Sequence, residues 1–201
     1  MIKASFVTTL VRAAHAAPSA DNTQPWHFSW DGRQLAVRYD AARVAGKTFP
    51  CDNPATLLSI GAAIESLLVA AAQLGFTVDL DWWPRGPDAG DHYASLSLSP
   101  GDSRDSSGPN PGDARREGGA ALSPAQRHTN RFAYRKTPLP DELLQYLASL
   151  SEGRARLVTV REPEGIRGLG SLVRQASEIR FQTREVHEWL GASLRFSRES
   201  V

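Results

Sequence analysis

Ser19, Asn22 and Gln24 lie within one short stretch, Pro18-Ser19-Ala20-Asp21-Asn22-Thr23-Gln24-Pro25-Trp26-His27-Phe28. A proline at each end fixes φ, and the short polar side chains between them bond readily to nearby backbone. The segment is therefore expected to be a rigid, turned loop that presents polar groups. One hydroxyl and two amides offer both donors and acceptors, a set that suits a planar heterocycle edged with carbonyls and ring nitrogens. Trp26 and Phe28 can anchor such a loop in apolar surroundings. By residue type alone the stretch also reads as an ordinary helix-to-strand turn over a buried tryptophan. His15 and His27 flank it without an acidic partner nearby in sequence, and each is expected to be a surface or hydrogen-bonded structural residue, not a catalytic base.

The second group able to do chemistry is Gln126-Arg127-His128-Thr129-Asn130-Arg131-Phe132-Ala133-Tyr134. If the segment is extended, Arg127, Thr129 and Arg131 project to one side, placing two guanidinium groups and a hydroxyl together. That cluster suits a phosphate, because arginine is always charged and forks two donors at a pair of phosphate oxygens. On charge pattern alone it reads first as a solvated basic run near a linker.

Elements able to position these groups follow from periodicity. From Ala4 to Ala17, Phe6, Leu10, Ala13, Ala14 and Ala17 recur at helical spacing, and Pro18 ends the helix where the loop begins. Leu35 to Tyr39 alternates behind the Asp31-Gly32 turn, the mark of a strand whose hairpin partner carries Phe28 and Trp30. A long helix from about Ala55 to Leu74 starts at Asp52-Asn53-Pro54 and ends at Gly75. Its apolar residues Leu57, Leu58, Ile60, Ile64, Leu67, Leu68, Ala71 and Leu74 predict burial on most sides, and Gly61, Ala62 and Ala63 permit another backbone or a cofactor wall to come close. Phe76 to Trp82 and Tyr93 to Leu98 read as neighbouring strands. Pro100 to Ala120 is almost free of apolar residues and is expected to be a mobile linker. Beyond it, a helix begins at Pro140-Asp141-Glu142 with Leu143, Leu144, Leu147 and Leu150 on one face. Arg156 to Val160 reads as a short strand. Ile166 to Trp189 reads as mostly helical, interrupted at Gly165, Gly168 and Gly170, with Ile179, Phe181, Val186 and Trp189 as core contacts. Arg195 to Val201 begins what reads as another amphipathic segment.

The 201 residues are 41% hydrophobic, enough for one sizeable core or two small halves. A formal net charge of +1 gives no global field for nucleic acid or a membrane surface. The single cysteine, Cys51, cannot form an internal disulfide and has no ligand-spaced Cys or His, so it reads as a packing residue in a reducing compartment with no structural metal. The N-terminal segment carries no apolar run long enough to span a bilayer, and a cytoplasmic location is expected.

Pro-Ser-x-x-Asn-x-Gln-Pro-Trp-x-Phe resembles the signature of the FMN-dependent nitroreductase family, in which this loop lies against the flavin. One departure is Ala20, where many members carry a second serine. Gly61-Ala62-Ala63-Ile64-x-x-Leu67-Leu68-x-Ala70-Ala71-x-x-Leu74-Gly75 is similar to the family's long central helix. The Arg127, Thr129, Arg131 pattern resembles the segment that holds the FMN phosphate and pyrimidine edge. The segment after Trp82 does not reproduce the usual sequence of the family and is assigned no contact. In ordinary members the phosphate segment comes first. Here the loop and core helix precede it, which resembles the Acg-like branch, where two nitroreductase-like halves share one chain.

The resemblance implies an α+β fold: a nitroreductase-like α/β sandwich with a mainly antiparallel sheet flanked by helices, in two pseudo-symmetric halves. The first half would span 1–99, a disordered linker 100–121, and the second half 122–201, incomplete and ending before its own core helix. It further implies FMN as cofactor, with Pro18, Ser19, Asn22, Gln24, Arg127, His128, Thr129 and Arg131 as binding residues and no catalytic side chain, since the flavin carries the chemistry. The expected activity is hydride transfer from NAD(P)H through the flavin to a nitro, quinone or similar acceptor. The alternatives are a non-catalytic FMN-sequestering protein, which Ala20 and the short C-terminus favour, or a fragment that needs a partner or self-associates through exposed core surfaces.

Overall fold

The computed structural model describes residues 2–44, 49–83, 91–101, 127–130, 132–135, 137–150 and 155–193. Contacts divide the chain into two compact units, Met1–Thr129 and Asn130–Val201. Much of the expected linker, 102–121, lies outside the described residues.

In the first unit, helix α1 (Ala4–His15) buries Val7, Leu10 and Ala14, three positions on one helical stripe. Strands β1 (Trp26–Trp30) and β2 (Gln34–Tyr39) form a hairpin in the register Trp26↔Tyr39 to Trp30↔Leu35. Its turn is set by Gly32, at φ 100°, and by the Asp31 carboxylate, which accepts from the Arg33 and Gln34 amides at 2.8 and 2.7 Å. A short helix α2 (Ala41–Val44) precedes the 20-residue α3 (Pro54–Gln73). Asn53 caps α3 by accepting from the Ala55 amide at 2.9 Å, Pro54 supplies a pre-set φ, and Gly75 leaves the helix at φ 76°. Strands β3 (Phe76–Trp82) and β4 (His92–Pro100) complete an antiparallel sheet of order β1-β2-β4-β3. The neighbouring strands expected after Gly75 are thus paired in the sheet, with β4 inserted between β3 and β2.

The core joins Leu10 and Ala14 of α1, Ile60, Ile64 and Leu67 of α3, Trp26 of β1, Leu35 and Val37 of β2, and Ala94 and Leu96 of β4. Helix α3 is long and apolar enough to cross a membrane, but eight of its residues are buried inside this unit and its role here is that of a core helix. Its burial is less complete than the composition predicts. Leu58 is 75% exposed, because the buried positions from Thr56 to Ala71 follow one stripe and Leu58 falls off it. At Gly61 a Cβ would meet nothing within 4 Å, so of the two uses expected for its small size no described backbone makes the close approach.

The second unit contains α4 (Asp141–Ser149), α5 (Pro163–Gln182) and α6 (Arg184–Ser193). The helix expected at Pro140-Asp141-Glu142 is α4, with two acids in its first turn. Three expectations are corrected. Residues 156–160 are not a strand; only Ala155 forms an isolated bridge, and a strand without a ladder partner has no backbone bonds to hold it. Helix α5 runs through Gly165, Gly168 and Gly170 without a break, since isolated glycines weaken a helix without ending it; the break comes at Thr183. Ile179 and Phe181 are exposed, at 65% and 59%, and Val186 is half-buried, so they form no core among the described residues. The side chain of Trp189 and residues 194–201 lie outside the described set.

Candidate functional site

The loop begins where α1 ends. The Ala16 and Ala17 amides close the last helical turn onto Ala13 and Ala14, at 3.1 and 3.0 Å, and Pro18 cannot extend it. Ser19 is extended, and Ala20–Asn22 form a single 3₁₀ turn in which the Asn22 amide donates to Ser19 and the Thr23 amide to Ala20. The Thr23 hydroxyl donates to the same Ala20 carbonyl at 2.8 Å. Asp21, Asn22 and Gln24 all adopt left-handed backbone, with φ of 49°, 55° and 50°. Three non-glycine residues in that region within four positions is a concentration of strain of the kind that surrounding contacts must hold in place.

Those contacts are specific. The Ser19 hydroxyl accepts from the Gln24 amide at 2.9 Å and closes the loop on itself. The Gln24 side-chain oxygen accepts from the Arg43 guanidinium of α2 at 3.4 Å. The Asp40 amide donates to the Pro25 carbonyl, and the Asp40 carboxylate accepts from the Arg43 amide at the start of α2. Trp26, 2% exposed, donates its indole N–H to His15 Nδ1 at 3.1 Å, while Phe28 meets the His15 ring edge-on at 5.6 Å between centroids. His15 is thus the hydrogen-bonded structural residue the sequence suggests, and exposed His27 faces the other way along β1. Burial, and next the Arg43 charge, hold the His15 pKa below its ordinary value, against an opposing bond to the Gln24 side chain.

Arg127 reaches the helix end where this loop begins from a distant part of the chain. Its Nε donates to the Ala16 carbonyl at 3.0 Å, satisfying a carbonyl at the C-terminal end of α1, and its Nη1 lies 3.5 Å from the Thr129 hydroxyl. The Arg127 and Thr129 side chains therefore share one side, as alternation requires. His128 and Thr129 are exposed, as are Pro18 and Asn22, whereas Ser19 and Gln24 are half-buried. Arg131 lies outside the described residues. The hydroxyl of Ser19 differs from the sequence reading in one respect: part of its acceptor capacity is spent inside the loop, leaving its O–H to offer outward. Arg43 is the participant that sequence reasoning missed. Asp40-x-x-Arg43 is a helix-start signal, and nothing in its spacing marks the arginine as a neighbour of Gln24.

Two cavities lie elsewhere in the first unit. One of about 330 Å³ is lined by Leu57, Ile60, Gly61, Trp82, Trp83 and Tyr93 and is almost wholly apolar. The larger, about 780 Å³, opens beside the N-terminal half of α1 among residues that include Phe6, Trp30 and Phe76. Its polar residues, Lys3, Ser5, Thr9, Arg33 and Ser99, are all exposed, so no buried polar group is aimed into it. Among the described residues there is no cluster of three or more His, Cys, Asp or Glu able to hold a metal ion.

No family model matches the chain. Over 102 residues it is 32% identical to a Mycobacterium tuberculosis protein named as an NAD(P)H nitroreductase, Acg, in strains H37Rv and CDC 1551. This chain resembles an Acg nitroreductase. The matched stretch is 51% of the chain and 30% of that relative, so the chain spans less than a third of the curated proteins it matches. Among solved structures, an NADH dehydrogenase/NAD(P)H nitroreductase from Parabacteroides distasonis is similar at 19% identity and TM-score 0.41, over 52% of this chain and 78% of the other. An FMN-dependent nitroreductase from Clostridium difficile is similar at 12% identity and TM-score 0.41, over 65% and 90%.

Proposed function

We propose that the chain is an FMN-binding, nitroreductase-like oxidoreductase, acting in the cytoplasm, in which the Pro18–Phe28 loop meets the flavin ring and the Arg127 segment meets its phosphate. The observation that carries this reading is the bond from Arg127 to Ala16, 111 residues away, which brings the arginine segment to the helix end from which the loop leaves. The resemblance to Acg supports it from an independent direction.

The residues fit the group on chemical grounds. Asn22 and Gln24 carry amides that can donate to and accept from a flavin edge, and the Ser19 O–H can donate. Arg127 offers fixed positive charge and Thr129 a neutral hydroxyl, the pair that a phosphate dianion takes. His128 and Arg131 belong to the same segment, and Pro18 fixes the point at which the chain leaves α1. When bound, FMN would supply the hydride chemistry between NAD(P)H and a nitro, quinone or similar acceptor. The chain's own task is to bind, to orient and to keep one ring face open.

The test is the visible spectrum of the purified chain after reconstitution with FMN, where the absence of a flavin band removes the reading. Arg127→Ala is expected to weaken FMN binding by about 10- to 100-fold, the worth of a charge-assisted bond or two, and Thr129→Ala by less. A bound flavin that NAD(P)H cannot reduce would favour FMN sequestration over catalysis.

A further inference from the structure

His15 lies just before the loop yet touches it at two points. The indole N–H of Trp26 donates to Nδ1 at 3.1 Å, which requires a lone pair on that nitrogen and leaves Nε2 to carry the proton of the neutral ring. Phe28 meets the same imidazole edge-on at 5.6 Å between centroids, and the side-chain amide oxygen of Gln24 acts on the ring in favour of its protonated form. That oxygen also accepts from Arg43 at 3.4 Å. A chain of contacts thus runs from buried Trp26 through His15 to Gln24, one of the left-handed loop residues, and on to α2.

We propose that neutral His15 is the positioning residue of the loop, and that protonating it switches the loop out of its binding form. The consequence for ligand binding rests on the reading of this loop as the flavin-ring contact. A proton on Nδ1 sets two donors against each other and deprives a buried indole N–H of its acceptor. It also places a second positive charge beside Arg43. The groups facing the ring are Arg43 from α2, the indole of Trp26 and the ring of Phe28 from β1, and the amide of Gln24 from the loop. On its own helix the charged neighbour is Arg12, and Arg127 is fixed on the adjoining Ala16 carbonyl. None of these is an anion, so beyond the influence of Gln24 it is solvent at the exposed edge of the ring that stabilises the imidazolium.

The test uses the full chain with ¹⁵N-labelled tryptophan and histidine, titrated by NMR over about pH 5 to 8. One of the five indole signals is expected to shift with a midpoint below the ordinary histidine value of 6.5. His15→Gln retains an acceptor for Trp26 and a donor for Gln24 without titrating, so in that variant the indole signal is expected to stay fixed. FMN affinity, measured by flavin fluorescence, is expected to fall several-fold more steeply with acid in the natural chain than in His15→Gln, a comparison that cancels the titration of the FMN phosphate. His15→Phe, which keeps an aromatic ring and loses both bonds, is expected to bind FMN weakly at every pH. An indole signal that does not titrate, or titrates equally in His15→Gln, overturns the proposal. Failure of both proteins to bind FMN at any pH removes the flavin reading and not the switch, which the indole signal reports by itself.

Discussion

At the scale of single residues, the loop holds conformations that its sequence does not favour. Gln24 has no special tolerance for left-handed backbone, unlike glycine and, to a smaller degree, asparagine. Gln24→Gly is therefore expected to raise stability by up to about 1 kcal/mol, while removing the amide that Arg43 holds, and so to lower FMN affinity. Denaturant unfolding and a flavin titration on the same variant read both halves of the statement. His15 adds a pH dependence to stability. Its folded pKa lies below the unfolded value of 6.5, so the unfolded chain binds the extra proton. The contribution is complete above pH 6.5 and is lost as pH falls from there through the lowered folded value. His15→Gln is expected to flatten that part of the stability profile.

At the scale of elements, α3 shows what periodicity says and what it omits. Its start at Asn53-Pro54, its length and its end at Gly75 are all legible in the chain, because caps and breakers act through local backbone chemistry. Which of its many apolar residues face the core is not legible, since leucines occur all round the helix. Leu67→Ala, at a fully buried site, is expected to cost about 2–5 kcal/mol, whereas Leu58→Ala should stay within about 0.5 kcal/mol of the natural chain. Equal effects in chemical denaturation would mean that the Leu58 face is covered. The misread strand at 156–160 and the unbroken α5 teach the converse lesson. Alternation becomes a strand only with a partner, and glycine is a weak breaker of a helix that has other reasons to form.

At the scale of the whole molecule, the described parts of the two units differ in how much apolar surface they hide. The first has a continuous core from α1 through α3 to the sheet, while the second shows helices whose apolar residues, such as Leu172, Val173 and Ile179, remain exposed. Backbone amides of α5 are accordingly expected to exchange with solvent much faster than those of α3, β2 and β4, a difference that native-state hydrogen exchange resolves by segment. The amino-acid sequence by itself determined the helix before the loop, the proline-bounded turn, the hairpin, the core helix, the strands after it and the motifs that resemble a flavoprotein, because each depends on local spacing and residue type. Only the tertiary structure decided that Arg127 sits on the end of α1, that Arg43 holds Gln24, and that His15 accepts the hydrogen bond of the Trp26 indole. Such contacts join residues far apart in the chain, and their geometry follows from the packing of helices and sheet, which no local pattern encodes.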